Sequence, residues 1–121
     1  MNSTYIVLAV LCYVAVFTLN GIVKVEEHVN DATSKGGKIL TGGKRPQFEG
    51  PTSKGYFFEP TVISEATTDM RIFKEETFGP AIPCFRFKED SEAVKMANDT
   101  EYGLAAYFYT KVFSRKAKHF A

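Results

Sequence analysis

The sharpest local pattern in the chain is KEETFGP at residues 74–80, where the adjacent carboxylates Glu75 and Glu76 precede an aromatic ring, Phe78, and a Gly-Pro turn. Carboxylates side by side offer acceptor oxygens to a ligand that carries donors. Most such pairs are nevertheless solvated surface, so the pattern alone assigns no role. The two cysteines, Cys12 and Cys84, have no CxxC or Cys/His ligand spacing, which argues against a disulfide framework and a zinc site. They read as free thiols, and a thiol among apolar neighbours is a poor nucleophile. His28 is expected on an exposed helix face and His119 in a helix near the chain's last residue, with no partner spacing for a metal or a base.

Those groups sit in a chain of 121 residues, 45% hydrophobic and 24% charged, with 11 Phe and 6 Tyr available for a core. A formal net charge of +1 creates no field suited to nucleic acid or an anionic surface, so no nucleic-acid partner is expected. Residues 1–23 have a different texture. YIVLAVLCYVAVF at 5–17 is an unbroken apolar run, and no charged residue precedes Lys24. Counted through residue 23 the run just reaches the length of a membrane span, interrupted by Thr18, Asn20 and Gly21. As a secretory signal it lacks a basic start and a small-x-small cleavage site. The open readings are a signal or membrane anchor through residues 5–19, a buried element of a larger fold, or a foreign segment joined to a fragment. The expected division is therefore an apolar leader over 1–23 and a globular part over 24–121.

In the globular part the periodicity alternates between helical and extended. Ile22, Val25, Val29 and Ala32 recur every three or four residues and predict an amphipathic helix over 22–35, stopped by Gly36 and Gly37. A short strand at 38–41, a Gly/Pro-rich loop at 42–55 and a strand at 57–64 follow, with Pro60 restricted to an edge, bulge or break. A helical turn is expected within 69–76 and a strand at 81–87. A helix capped by Asp90 or Ser91 should bury Ala93, Val94, Met96 and Ala97 and end by Gly103. A strand at 104–110 and a helix from Ser114 complete an order characteristic of an α/β fold.

Several phrases then occur in one order: KGGKILTGGKR at 35–45, GYFFEPTVI at 55–63, KEETFGP at 74–80 and ANDTEYGLAAYFYT at 97–110. Together they resemble the aldehyde dehydrogenases, from about Lys24 to the last residue, and their wording is most similar to the succinate semialdehyde branch. The resemblance implies a partial catalytic domain, an incomplete Rossmann-like three-layer α/β unit, facing a nicotinamide cofactor, NAD or NADP. It implies that Glu76, the second carboxylate of the motif, accepts hydrogen bonds from the hydroxyls of the nicotinamide ribose. Two oxygens suit two vicinal donors. It further implies that Phe78 packs beside the nicotinamide, and that Lys24 lies near the same ribose.

Family catalysis requires a cysteine thiolate, hydride transfer and a general base. No segment here resembles a GQxC nucleophile or a glycine-rich cofactor loop, so no catalytic residue is assigned in this chain. The expectation is a fragment of an enzyme that oxidises an aldehyde, with a nicotinamide cofactor and an aldehyde as partners of the parent and a homo-oligomer or dehydrogenase subunit as its setting. The competing readings are a non-catalytic interaction module and a small membrane-anchored protein. By family the location would be mitochondrial or cytoplasmic, or membrane or secretory if the leader functions; the leader is not the Arg-rich type of a transit peptide.

Overall fold

The computed structural model of the protein describes residues 18–103 and Tyr107. The apolar run at 5–17, Cys12, His119, the terminal helix and all but Tyr107 of the strand expected at 104–110 lie outside the described residues.

Helix α1 (Leu19–Ser34) begins three residues earlier than its apolar spacing predicts, because Thr18 caps it: the hydroxyl accepts the Gly21 N–H at 3.1 Å. Its inward face is Ile22, Val25, His28, Val29 and Ala32, all buried. Leu19 to Val23 thus belong to the packed helix, although they continue the apolar texture of the preceding run. The helix stops where Gly36 turns to φ +94, a conformation natural only to glycine. The Gly36 N–H then donates to the Thr33 carbonyl at 3.2 Å and the Gly37 N–H to that of Ala32 at 2.8 Å. These two bonds satisfy carbonyls that the ended helix leaves open.

The chain next forms β1 (Lys38–Thr41), a loop with a 3-10 turn at Gly50–Lys54, and β2 (Thr61–Ala66). Short helix α2 (Arg71–Lys74), β3 (Ala81–Phe85) and α3 (Asp90–Asn98) follow. The sheet order is β1-β2-β3, with β1 antiparallel to β2 (Lys38 opposite Ser64) and β2 parallel to β3 (Thr61 opposite Ala81). β2 starts directly after Pro60 rather than at residue 57, as expected of a residue that cannot donate to a ladder. Thr61 anchors this start. Its N–H donates to the Pro80 carbonyl at 2.7 Å, and its buried hydroxyl donates to the Glu59 carbonyl at 2.7 Å while accepting the Gly43 N–H at 2.8 Å. Gly42, at φ +71, passes so close that a Cβ there would lie 2.3 Å from the Pro60 oxygen.

α1 lies against this sheet and against α2. The buried apolar set joins Ile22, Val25, Val29 and Ala32 to Phe58, Ile63, Ala66, Met70, Ile72 and Ala81. The fold is α/β, as the alternating periods predicted. α3 departs from expectation at its start, where the N-cap is Glu89 without a side-chain cap bond, and it stops at Asn98, ahead of Gly103. The Glu92 carboxylate instead reaches back to the Lys88 N–H at 2.8 Å. Ala93, Val94 and Met96 are half-buried, whereas Ala97 is exposed. Among the described residues no helix is long and apolar enough to cross a membrane.

Candidate functional site

The link between β2 and β3 carries the KEETFGP run, and a histidine organises it. His28 is not on an exposed face of α1. It is fully buried, three residues after Val25 and four before Ala32, on the apolar stripe itself. A buried imidazole needs partners for both nitrogens, and it finds them in the run: Nε2 lies 3.2 Å from Glu75 Oε2 and Nδ1 2.9 Å from Thr77 Oγ1. A carboxylate only accepts, so Nε2 carries the hydrogen that Glu75 receives. In the neutral ring Nδ1 then accepts the Thr77 hydroxyl.

Glu75 is further gripped by Arg71, whose Nε and Nη2 donate to its two oxygens at 2.8 and 3.2 Å, while Nη1 reaches Glu27 at 3.2 Å. The Arg71 hydrogen bonds, reinforced by His28 and opposed by partial burial, hold the Glu75 carboxyl down to about 2. The same contacts push the Arg71 guanidinium up. Glu75 is therefore a fixed anion with its oxygens committed. Arg71 is itself located by α1, through its N–H to Asp31 Oδ2 at 2.7 Å.

Glu75 leaves α2 with extended φ and ψ of −106 and 139, and side chains alternate along an extended backbone. With Glu75 and Thr77 turned in to His28, the intervening Glu76 is turned out and exposed, and Phe78, where the backbone leaves the extended region, is exposed as well. Glu76 makes no hydrogen bond or ion pair among the described residues, so its carboxylate oxygens remain available to a donor. Phe78 is 79% exposed and sits at φ 46, a left-handed conformation uncommon for a residue with a Cβ. Gly79 then closes onto α1: a Cβ on it would lie 2.2 Å from Val25 Cγ2. The run thus travels along α1 from His28 to Val25, toward the helix N-terminus. Lys24, half-buried and one turn before His28, lies on the stretch of helix that the run follows. Neither Lys24 nor Glu76 enters an ion pair among the described residues.

Of the three residues singled out in the sequence, the structure brings Glu76 and Phe78 onto one outward face and leaves Lys24 on the neighbouring helix. Sequence reasoning missed His28, Thr77 and Arg71 as the residues that hold that face. The signal for His28 was its spacing from Val25 and Ala32. Cys84 is buried in β3, and burial pushes its thiol pKa up, in keeping with an unreactive thiol. No group of His, Cys, Asp and Glu among the described residues could hold a metal ion.

The class of this α/β unit is given by its likeness to known proteins. The aldehyde dehydrogenase family profile matches residues 14–121. The NADP(+) succinate-semialdehyde dehydrogenase of Escherichia coli is 46% identical over 94 residues, covering 78% of this chain and 18% of that protein. The mitochondrial succinate-semialdehyde dehydrogenase of Rattus norvegicus is 52% identical over 88 residues, 73% of this chain and 16% of that protein. The crystal structure of succinate-semialdehyde dehydrogenase from Burkholderia pseudomallei superposes with a TM-score of 0.74 at 46% identity, over 83% of this chain and 20% of that one. The chain belongs to the aldehyde dehydrogenase family and forms part of its α/β catalytic domain. Within the family its wording resembles that of the succinate-semialdehyde dehydrogenases, yet it spans less than a fifth of the length of these two curated relatives, 18% and 16%.

Proposed function

We propose that this chain supplies the nicotinamide-ribose side of the cofactor site in an NAD(P)-dependent aldehyde dehydrogenase whose substrate is succinate semialdehyde. The observation that carries the reading is the arrangement of residues 75–78, in which Glu75 and Thr77 bond to His28 while Glu76 and Phe78 are exposed, the carboxylate without a partner among the described residues. An uncommitted carboxylate fits a pair of vicinal hydroxyls, and an open aromatic face fits a flat ring. When bound, the cofactor supplies the hydride-accepting carbon. Glu76 accepts the two ribose hydroxyls, Phe78 limits the positions open to the nicotinamide, and Lys24 contributes positive charge beside the ribose. In this assignment the thiolate and the general base come from other parts of the parent sequence, and Cys84, buried with a raised pKa, is not the nucleophile. On this reading the chain alone turns over no aldehyde.

The test is a fluorescence titration of the protein with NADH and with NADPH, before and after Glu76→Gln. Charge-assisted hydrogen bonds are worth about 1.5–3 kcal/mol each, so the substitution is expected to weaken the preferred nucleotide by about tenfold or more, by the relation of 1.4 kcal/mol to a factor of ten. Equal affinity of both proteins, or no nucleotide binding by either, refutes the assignment. Aldehyde-dependent NAD(P)H formation by the chain alone contradicts the placement of the nucleophile elsewhere.

A further inference from the structure

We propose that His28 is the positioning residue of the 75–79 run: by binding Glu75 and Thr77 at once, it sets which side chains face outward and so holds Glu76 and Phe78 in place. The consequence for nucleotide binding rests on the cofactor reading above, whereas the ordering of the run by His28 stands independently of it.

Few contacts accomplish this. The run is neither helix nor sheet between Glu75 and Pro80, so no ladder fixes the rotation of its backbone. The side-chain bonds of Glu75 and Thr77 do so, and both converge on the one imidazole, Glu75 at 3.2 Å and Thr77 at 2.9 Å. Two attachments, at the first and third residues of an extended stretch, define its face as well as its location. Backbone bonds fix only the ends, from the Glu75 N–H to the Arg71 carbonyl at 2.8 Å and from the Thr61 N–H to the Pro80 carbonyl at 2.7 Å, so between them the Thr77 bond to His28 is the side-chain attachment that sets the face. The imidazole is itself fully buried on a sixteen-residue helix. The charged groups facing this assembly are Glu75, Arg71 and, through Arg71, Glu27. Arg71 holds Glu75 but makes no bond to Thr77, so it can tether the start of the run without setting its face. Gly79 against Val25 supplies the far stop.

The experiment is backbone 15N relaxation on the protein and on two variants, His28→Leu and Thr77→Val. The second exchanges only a hydroxyl for a methyl group on a half-buried residue, so it remains informative if the first fails to fold. The expected result is that order parameters at Glu76, Thr77 and Phe78 fall from about 0.85 to below about 0.6, while those of α1 and β2 are unchanged. His28→Gln, which keeps a donor for Glu75, should recover part of the order. Unchanged order at 76–78 in Thr77→Val overturns the proposal, as does a loss of order spread evenly over the molecule. In the same samples, His28→Leu and Glu76→Gln should be non-additive in nucleotide affinity, because the histidine acts through the carboxylate. Additive losses overturn the link to Glu76. If Glu76→Gln alone leaves affinity unchanged, the cofactor reading fails, while the relaxation data still decide whether His28 positions the run.

Discussion

Gly79→Ala probes the contact on which the far end of the KEETFGP run depends. The added Cβ would lie 2.2 Å from Val25 Cγ2, but 3.5 Å from Val25 Cβ and 3.7 Å from Cγ1. The collision is thus with a single methyl group. Val25 cannot easily turn it aside, since a β-branched residue in a helix has one strongly preferred rotamer and this one is fully buried. Overpacking of this kind costs about 1–3 kcal/mol, and the severity of the contact puts Gly79→Ala toward the upper end. Val25→Ala removes two buried methyl groups, about 1.6 kcal/mol of transfer free energy, raised to about 2–3 kcal/mol by the cavity left behind. In the double variant the methyl added at position 79 occupies space that the valine vacated, and the Cβ at position 25, 3.5 Å away, becomes an ordinary contact. The two substitutions should therefore be non-additive by at least about 1.5 kcal/mol, with the double variant no less stable than Val25→Ala. Urea unfolding followed by circular dichroism measures this. With a slope of about 2 kcal/mol per molar, each single variant moves the midpoint down by about 1 M and the double by about the same. Additive losses would mean that Gly79 does not pack against Val25 and that the run lies elsewhere on the helix.

The anion at the run's start and the strained ring at its centre can be tested in the same way. Glu75 is held at about 2 in the folded protein against an ordinary value of 4.5. Its contribution is thus complete above pH 4.5 and is lost as pH falls through that window toward 2; the urea midpoint of the wild type should fall more steeply there than that of Glu75→Gln, and parallel slopes would contradict the Arg71 and His28 contacts. Phe78→Gly removes a left-handed strain of about 1 kcal/mol at a ring that is 79% exposed, so stability should hold or rise while NAD(P)H affinity falls; a marked loss of stability would show that the ring is packed.

What could be read from the residues depended on whether local patterning or long-range contact decided the outcome. Ile22, Val25, Val29 and Ala32 announce α1 through spacing alone, and Gly36 announces its end through backbone freedom, so both were legible. The first turn was not, because Thr18 and Asn20 looked like interruptions of an apolar run, when Thr18 is the cap that starts the helix. His28 was expected on a wet face, although its distance from Val25 and Ala32 placed it on the dry one. Its partners lie 47 and 49 residues away, and no periodicity reports them. Glu76 and Phe78 were singled out by the resemblance of their motif. That Glu75 and Thr77 turn them outward depends on a contact across the fold.

The run from Glu75 to Phe78 carries its information in parity: odd positions are spent on attachment, even positions are left for display. A message written this way tolerates substitution far better than it tolerates a frameshift. Changing the chemistry at 76 or 78 alters what is displayed and leaves the mounting intact. Inserting one residue between the two anchors would turn the Glu76 carboxylate toward the imidazole and Thr77 away from it, and deleting Glu76 would likewise turn Thr77 away while Glu75 stays in place. Redesign of this surface should therefore vary letters at even positions and keep the count between Glu75 and Gly79 unchanged.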